Sequence, residues 1–507
     1  MRLSFIVLAA ISSVIPLSSR ADVYTEALQK RLQFVFRDEQ LKKTQLGVEV
    51  FSLSTQESLF SIQPRAAMSP ASVVKLLTGL VALKRLGPDF TFKTEAYLSG
   101  RREGTTFTGD LYLKGSGDPS LVTERLFLLA NDIVRTGITT IQGSIKIDDW
   151  TFDQVKFDEA RIPTNTDRAY NAPVGGMSFN YNTTTVYFRP GDKVGDPPRI
   201  FAEPDTGYVR IRNEARTSAR GSKYSLVASR VVSGDTNTIV VRGSIPLGLA
   251  EQRSYFNITD PVSYAGSALR WMLGLRGVRV TESKVGHEKV PAQAVKIAEL
   301  ESLPMREIVI LMNKFSNNFI ADTLVKTLGR EIRGVPGTMD KGLQVLREES
   351  TRLGLNNTGF HVVSGSGLTR ENRISASHFV KLLNAAYLDF DVLPELLASL
   401  PIAGKDGTLR SRMKGTAAYG RLRGKTGSID GVAALAGVVQ SRGGELLAFA
   451  VVMNDRSKAP GAMRPWQNYF GQALADFNRQ TPLTEKPLAI PDTIEPADPQ
   501  ADSEDSP

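Results

Sequence analysis

Apolar and polar positions alternate through Leu46–Leu53 (LGVEVFSL) and again through Glu57–Ile62 (ESLFSI), on either side of Ser54-Thr55-Gln56. A period of two around a polar turn predicts a β-hairpin. The same texture returns near the other end of the chain. Arg421–Thr426, Val432–Gln440 and Glu445–Asn454 are strand-like, separated by Ser428–Gly431 and Ser441–Gly444, and Trp466–Arg479 then takes up a helical period. Between the two ends, Val73, Leu76, Leu77, Leu80 and Leu83 form one apolar face, entered at Ser69-Pro70 and left at Gly87-Pro88. Serine as N-cap and proline in the first turn suit a helix start there. A second helix is expected from near Ser316 to about Arg333. Two strands at the front, three at the back and helices between them predict an α+β fold, with one antiparallel sheet assembled from both ends of the chain.

From roughly 90 to 295 the pattern changes to short strand-like runs rich in glycine, asparagine, threonine and aspartate turns, among them GSIKIDDW and TIVVRGSIPLG. This stretch reads as a β-rich insertion of one or two smaller domains. The expected organisation is 1–21 leader, 22–90 first part of the main domain, 91–295 insertion, 296–481 second part, and 482–507 tail. The leader reading rests on Arg2, the apolar run Leu3–Leu17 and the small residues of Ser19-Arg20-Ala21. It implies an exported protein with no membrane span in the mature chain.

Composition narrows the chemistry. The 507 residues contain no cysteine and three histidines, His287, His361 and His378. Disulfides, thiolate nucleophiles, iron–sulfur clusters and cysteine-bound zinc are therefore excluded, and no metal or other cofactor is expected. Nucleophilic chemistry is pushed toward serine or threonine activated by something other than imidazole. Net charge is +9, yet the tail from Pro482 carries seven acids against one lysine, so the body is more basic than the total indicates. Nucleic acid is not expected as a partner, because lysine and arginine are not clustered. The tail, rich in proline, aspartate and serine, reads as disordered.

Three short motifs then stand out, each with a bland alternative. Ser72-Val73-Val74-Lys75 puts a hydroxyl and an ammonium on one helix face at i and i+3; the alternative is a helix start with one solvated lysine. To serve as a base, that lysine must fall from about 10.4 to about 7–8. Ser316-Asn317-Asn318 offers a hydroxyl and an amide, or simply an N-cap. Lys425-Thr426-Gly427-Ser428 ends a predicted strand, with Gly427 allowing close approach to the backbone; the alternative is an ordinary strand end. Gly420–Thr426 imitates a phosphate-binding loop, but has one residue too few between its glycines and is followed by strands rather than a helix.

Occurring in this order and in these contexts, SxxK, SxN and KTG resemble the penicillin-recognising serine acyltransferases. The long insertion between the first two motifs narrows the resemblance to the D-alanyl-D-alanine carboxypeptidase/endopeptidases, the class C low-molecular-mass penicillin-binding proteins. GSGDPSL at 115–121, YNAPVGGMSFNYN at 170–182, SGSGLTREN at 364–372 and PIAGKDGTLRSRM at 401–413 extend the likeness over the chain apart from the acidic tail. One departure is Ser364, where the family usually has the aspartate of DGSGL.

The resemblance implies a β-lactamase/transpeptidase-like domain interrupted by the insertion, and a periplasmic enzyme acting on peptidoglycan stem peptides with β-lactams as covalent inhibitors. It further implies Ser72 as nucleophile, Lys75 as its base, and Ser72 and Ser428 N–H groups as oxyanion donors. Ser316, between Lys75 and Lys425, would relay the proton to the departing amine, Asn318 would hold the substrate amide, and Lys425 and Thr426 would bind the terminal carboxylate, with Gly427 and Ser428 also on the substrate side. Arg370 and Asp148, with Asp149 beside it, are further candidates for the substrate carboxylate and a side-chain amine; their alternative is a surface salt bridge. A β-lactamase and a non-catalytic wall-binding protein of the same fold are the competing expectations.

Overall fold

The alternation through 45–62 folds as the expected hairpin. Gln45–Ser52 and Glu57–Ile62 pair antiparallel, with Val48 opposite Ile62. At the other end Leu422–Ile429, Val432–Gln440 and Leu446–Asn454 form the meander, and Gln45–Ser52 docks along Leu446–Asn454 with Val48 opposite Val451. One five-stranded antiparallel sheet results, with Leu422–Ile429 at its edge. That edge strand runs further than the pattern indicated: Ser428 lies inside it and not in the following turn. The computed structural model describes residues 17–162, 167–233, 236–355 and 359–479, with the side chains of 17–22, 233 and 236 outside the description. The expected tail thus lies outside the described residues, as does the leader up to residue 16. Leu17–Ala21 form the start of a helix that continues to Phe36.

Both sheet faces are covered, for different reasons of size. One face presents large side chains, Leu435, Val439, Leu447, Phe449 and Val451, to Leu28, Leu32 and Val35 of the first helix and to Trp466, Phe470 and Leu474 of the last. That last helix, Pro460–Asp476, starts six residues before the expected Trp466 because a proline suits its first turn. The other face presents Ala434, Ala436, Ala448 and Ala450 to the cluster that holds Val73, Leu76, Leu77 and Phe379. Alanines keep that surface low. The helices Lys75–Leu86 and Ala376–Tyr387 pack against this side.

The inserted segment has its own core around Leu111, Leu113, Leu129, Val186, Phe256 and Leu269. Its main sheet is built on Lys93–Glu103 and Thr106–Gly115, and is completed by Val295–Glu301 beside Lys93–Glu103. The end drawn at 295 therefore falls on the first residue of the returning strand. Two helices, Thr123–Arg135 and Pro261–Leu275, were not anticipated from the strand-like texture. In the first of them Leu126, Leu129, Ala130 and Ile133 are buried at helical spacing, a period that short β-like runs on both sides obscure.

After Asp148 the chain leaves this sheet and crosses to the helix Asn318–Arg333. Asp153 N donates to Gly337 O at 3.1 Å, Lys326 Nζ to Asp153 Oδ1 at 2.5 Å, and Arg161 pairs with Asp322 at 2.5 Å. No helix among the described residues is long and apolar enough to cross a membrane.

Phe470 is fully buried, with Phe36 and Phe449 at ring-centroid distances of 5.6 and 5.7 Å. Phe470→Ala is expected to cost about 3–5 kcal/mol in urea unfolding; a loss below about 1 kcal/mol would contradict this packing.

Candidate active site

Ser72 sits on a tight turn. Ala71–Val74 form a 3₁₀ turn that feeds the α-helix Lys75–Leu86, and Ala71 takes a positive φ of 47°. A non-glycine residue there is strained, and such strain persists only where surrounding contacts impose it. Ser69 is not the N-cap that its position suggested. Its backbone is gripped by Asn454, with Ser69 N donating to Oδ1 at 3.1 Å and Nδ2 donating to Ser69 O at 3.0 Å. The turn is thereby fixed to the end of a sheet strand.

The i, i+3 spacing then closes as expected. Lys75 Nζ lies 2.9 Å from Ser72 Oγ. It also donates to Asn318 Oδ1 at 2.7 Å and to Ser366 O at 2.6 Å. Lys75 is fully buried, and burial brings its pKa from the ordinary lysine value to about 7; Asp322 partly opposes the shift and Arg161 adds to it. The solvated-lysine alternative is thus removed.

Ser316 takes a positive φ of 56°, and the N-cap of the following helix is Asn317, whose Oδ1 accepts from Ile320 N at 3.0 Å. The Ser316 hydroxyl is consequently free of capping and accepts from Lys425 Nζ at 2.7 Å. Lys425 also donates to Thr426 O at 2.8 Å. It is fully buried, and burial together with the neighbouring Lys75 holds its pKa well below the ordinary value. Asn318, the first residue of the helix, donates through Nδ2 to Tyr170 O at 3.0 Å. Its amide therefore joins Lys75 to the inserted segment.

The edge strand brings the third motif alongside. A Cβ on Gly427 would come 2.4 Å from Pro70 O and 3.2 Å from Val73 N. The close approach that requires glycine is therefore made by the turn carrying Ser72. Thr426 Oγ1 meets Thr408 Oγ1 at 2.8 Å, and Ser428 is exposed. Arg370 reaches the end of the same strand, donating to Asp430 O at 2.6 Å. Ser72, Lys75, Ser316, Asn318, Lys425, Thr426 and Gly427 are thus gathered in one place, with Arg370 at its rim.

Asp148 is not gathered there. It is buried in the inserted sheet, where Oδ2 accepts from Val290 N at 2.9 Å and Oδ1 from Trp150 N at 3.4 Å. Asp149 is likewise engaged, with His287 at 2.5 Å. Residues that motif reading missed complete the cluster. The Ser366 carbonyl, Tyr170 O and Thr408 lie within the family-like segments, and Asp322 stands one turn after Asn318, so a helical-face count could have found it. Nothing in the sequence pointed to Arg161.

Comparison with known proteins agrees with this geometry. Residues 28–469 match the sequence profile of the D-Ala-D-Ala carboxypeptidase 3 (S13) family. The chain is similar to the D-alanyl-D-alanine carboxypeptidase of Actinomadura sp. strain R39, at 35% identity over 465 residues that make up 89% of this chain and 85% of that one. Among solved structures it resembles penicillin binding protein 4 from Haemophilus influenzae, with a TM-score of 0.74 and 22% identity over 87% of this chain and 98% of that one. The same protein complexed with a β-lactam gives a TM-score of 0.70 at 22% identity, covering 90% and 99% of the two chains. The structural likeness supports the fold, and the sequence match extends over most of the chain. The chain therefore belongs to the D-Ala-D-Ala carboxypeptidase 3 (S13) family and is an enzyme of that serine-peptidase type.

Proposed function

We propose that the protein cleaves D-Ala-D-Ala termini, and D-Ala cross-links, of peptidoglycan stem peptides through an acyl-enzyme on Ser72. The observation that carries this is the 2.9 Å contact between Ser72 Oγ and a buried lysine whose pKa falls to about 7. A lysine that is partly neutral near pH 7 is a competent base; an ordinary solvated lysine is not.

In the proposed reaction Ser72 Oγ attacks the carbonyl carbon and its proton passes to Lys75 Nζ. The oxyanion is held by the N–H groups of Ser72 and Ser428; losing one such donor typically costs about 3–4 kcal/mol. The C–N bond then breaks, and the proton that Lys75 took passes to the departing amine through Ser316, whose hydroxyl is already bonded to Lys425, leaving Lys75 neutral. Asn318 orients Lys75 and meets the substrate amide. Lys425, Thr426 and Arg370 receive the terminal carboxylate. Water attacks the ester while Lys75 again accepts a proton, which it returns to Ser72 Oγ as the acyl C–O bond breaks, restoring free Ser72. An extended peptide lying along the exposed edge of Leu422–Ile429 would present its carbonyl to the Ser72 turn, which Gly427 allows to lie close. β-Lactams enter the same path and remain as acyl adducts because their leaving group stays tethered. Such a substrate lies outside the cytoplasmic membrane, so we place the enzyme in the periplasm.

Fluorescent penicillin is expected to label the wild type covalently, one per chain, and Ser72→Ala not at all; label persisting on the alanine variant would sink the assignment. Nitrocefin turnover beyond one equivalent within seconds would instead favour a β-lactamase. Lys75→Ala should retain the fold by circular dichroism and slow acylation by about 10²–10⁴-fold.

Because Lys75 must be neutral to accept the proton, the second-order acylation rate should fall about tenfold per unit below pH 7 and level off above it. A flat profile between pH 5 and 8 would contradict the lysine-base reading. Mass analysis of products from monomeric and cross-linked muropeptides should show loss of terminal D-Ala and cleavage of D-Ala cross-links, respectively; unchanged cross-linked material would restrict the enzyme to carboxypeptidase action.

A further inference from the structure

Ser364 is fully buried, and it opens the loop that supplies the Ser366 carbonyl to Lys75. Asn372 clasps its backbone on both sides, Ser364 N donating to Asn372 Oδ1 at 3.1 Å and Asn372 Nδ2 donating to Ser364 O at 2.9 Å. Its hydroxyl lies 3.2 Å from Ser366 Oγ. Further along, Thr78 Oγ1 donates to Gly365 O at 2.8 Å. Gly367, at φ +79°, packs so closely on the Ser72 turn that a Cβ would come 2.2 Å from Ala71 O. Any shift of this loop therefore moves an acceptor that holds Lys75.

Residues 158–162 of the inserted segment lie against the same loop. Ile162 N donates to Leu368 O at 2.9 Å. Asp158 is buried, and its Oδ1 accepts from Ala160 N at 3.0 Å. Its Oδ2 is buried and has no hydrogen-bond partner among the described residues. Burial and the neighbouring Asp322 raise the carboxyl to about 6, while the Ser364 hydroxyl, Ala160 N and Arg161 draw it back down. The unpartnered Oδ2 and the Ser364 hydroxyl are thus both buried where the two segments meet, close enough for the hydroxyl to act on the carboxyl without a direct hydrogen bond between them.

We propose that Asp158 supplies from the inserted segment the carboxylate that the loop lacks at position 364, and that it acts as a positioning residue holding the Ser366 carbonyl for Lys75 through Ser364. This rests on the reading of Lys75 as the base. A serine at 364 is then no defect. Its short side chain leaves room for a carboxylate arriving from residue 158, whereas an aspartate there would add a further carboxylate near Asp158, which already feels the charge of Asp322, itself paired with Arg161.

The test is acylation by fluorescent penicillin, resolved into limiting rate and apparent dissociation constant, for Asp158→Asn, Ser364→Asp and the double variant. Each single change should lower the limiting rate about tenfold or more while the D158N dissociation constant and melting temperature stay at wild-type values. The double variant, with its carboxylate moved to 364, should recover to within about threefold of wild type. A D158N variant that acylates at the wild-type rate would overturn the proposal, as would a double variant whose loss equals the product of the two single losses. If D158N alone does not fold, a folded and acylating double variant supports the proposal and an unfolded one overturns it. The Ser72→Ala control separates the two readings: loss of label there, with wild-type behaviour at 158, removes this proposal and leaves the Ser72–Lys75 assignment standing.

Discussion

The burial of one amine organises this protein. Lys75 Nζ has no solvent around it and three oxygen neighbours, Ser72 Oγ, Ser366 O and Asn318 Oδ1, none of which is a carboxylate. An ammonium in such a place loses hydration that neutral acceptors only partly replace, so the neutral form becomes accessible near pH 7. Asp322 is close enough to oppose the shift, but its direct partner is Arg161, which also acts on Lys75 in the opposite sense. The result lies between a permanently charged lysine and one too weakly basic to take a proton.

Holding that environment requires four separated stretches of chain. The turn at 71–75, the helix start at 316–318, the loop at 364–367 and the edge strand at 425–427 must converge. A sheet made from both chain ends, with a low alanine face beneath the Ser72 helix, achieves this. The insertion contributes directly as well. Tyr170 O fixes Asn318, and Arg161 forms a buried pair with Asp322. Removing one partner of such a pair leaves the other charge buried at a cost of about 3–5 kcal/mol. The inserted segment therefore helps to wall the candidate site.

Much of the candidate site was legible in the sequence because its side chains belong to local spacings. SxxK is one helical turn, SxN lies at a helix start, and KTG lies on a strand whose alternation is plain. The sheet was legible for the same reason. What escaped depended on groups without a sequence signature. The Ser366 and Tyr170 carbonyls are backbone atoms, and Arg161 meets Asp322 across 161 positions of chain. Ser69 and Ser316 looked like N-caps, but Asn454 and Asn317 provide those anchoring contacts instead. Asp148 is a candidate through the resemblance alone, in the KIDDWTF segment of the insertion. Its carboxylate accepts from Val290 N and Trp150 N, backbone groups that carry no sequence signature.

The central claim concerns one proton, and it can be observed directly. In protein labelled with [ε-¹³C]lysine, the Cε shift of each lysine reports its own titration between pH 5 and 11. One resonance should titrate near 7 and disappear in the Lys75→Ala protein. If every lysine resonance of the folded enzyme titrated above about 9.5, within the ordinary lysine range, Lys75 would be charged at neutral pH and could not serve as the base.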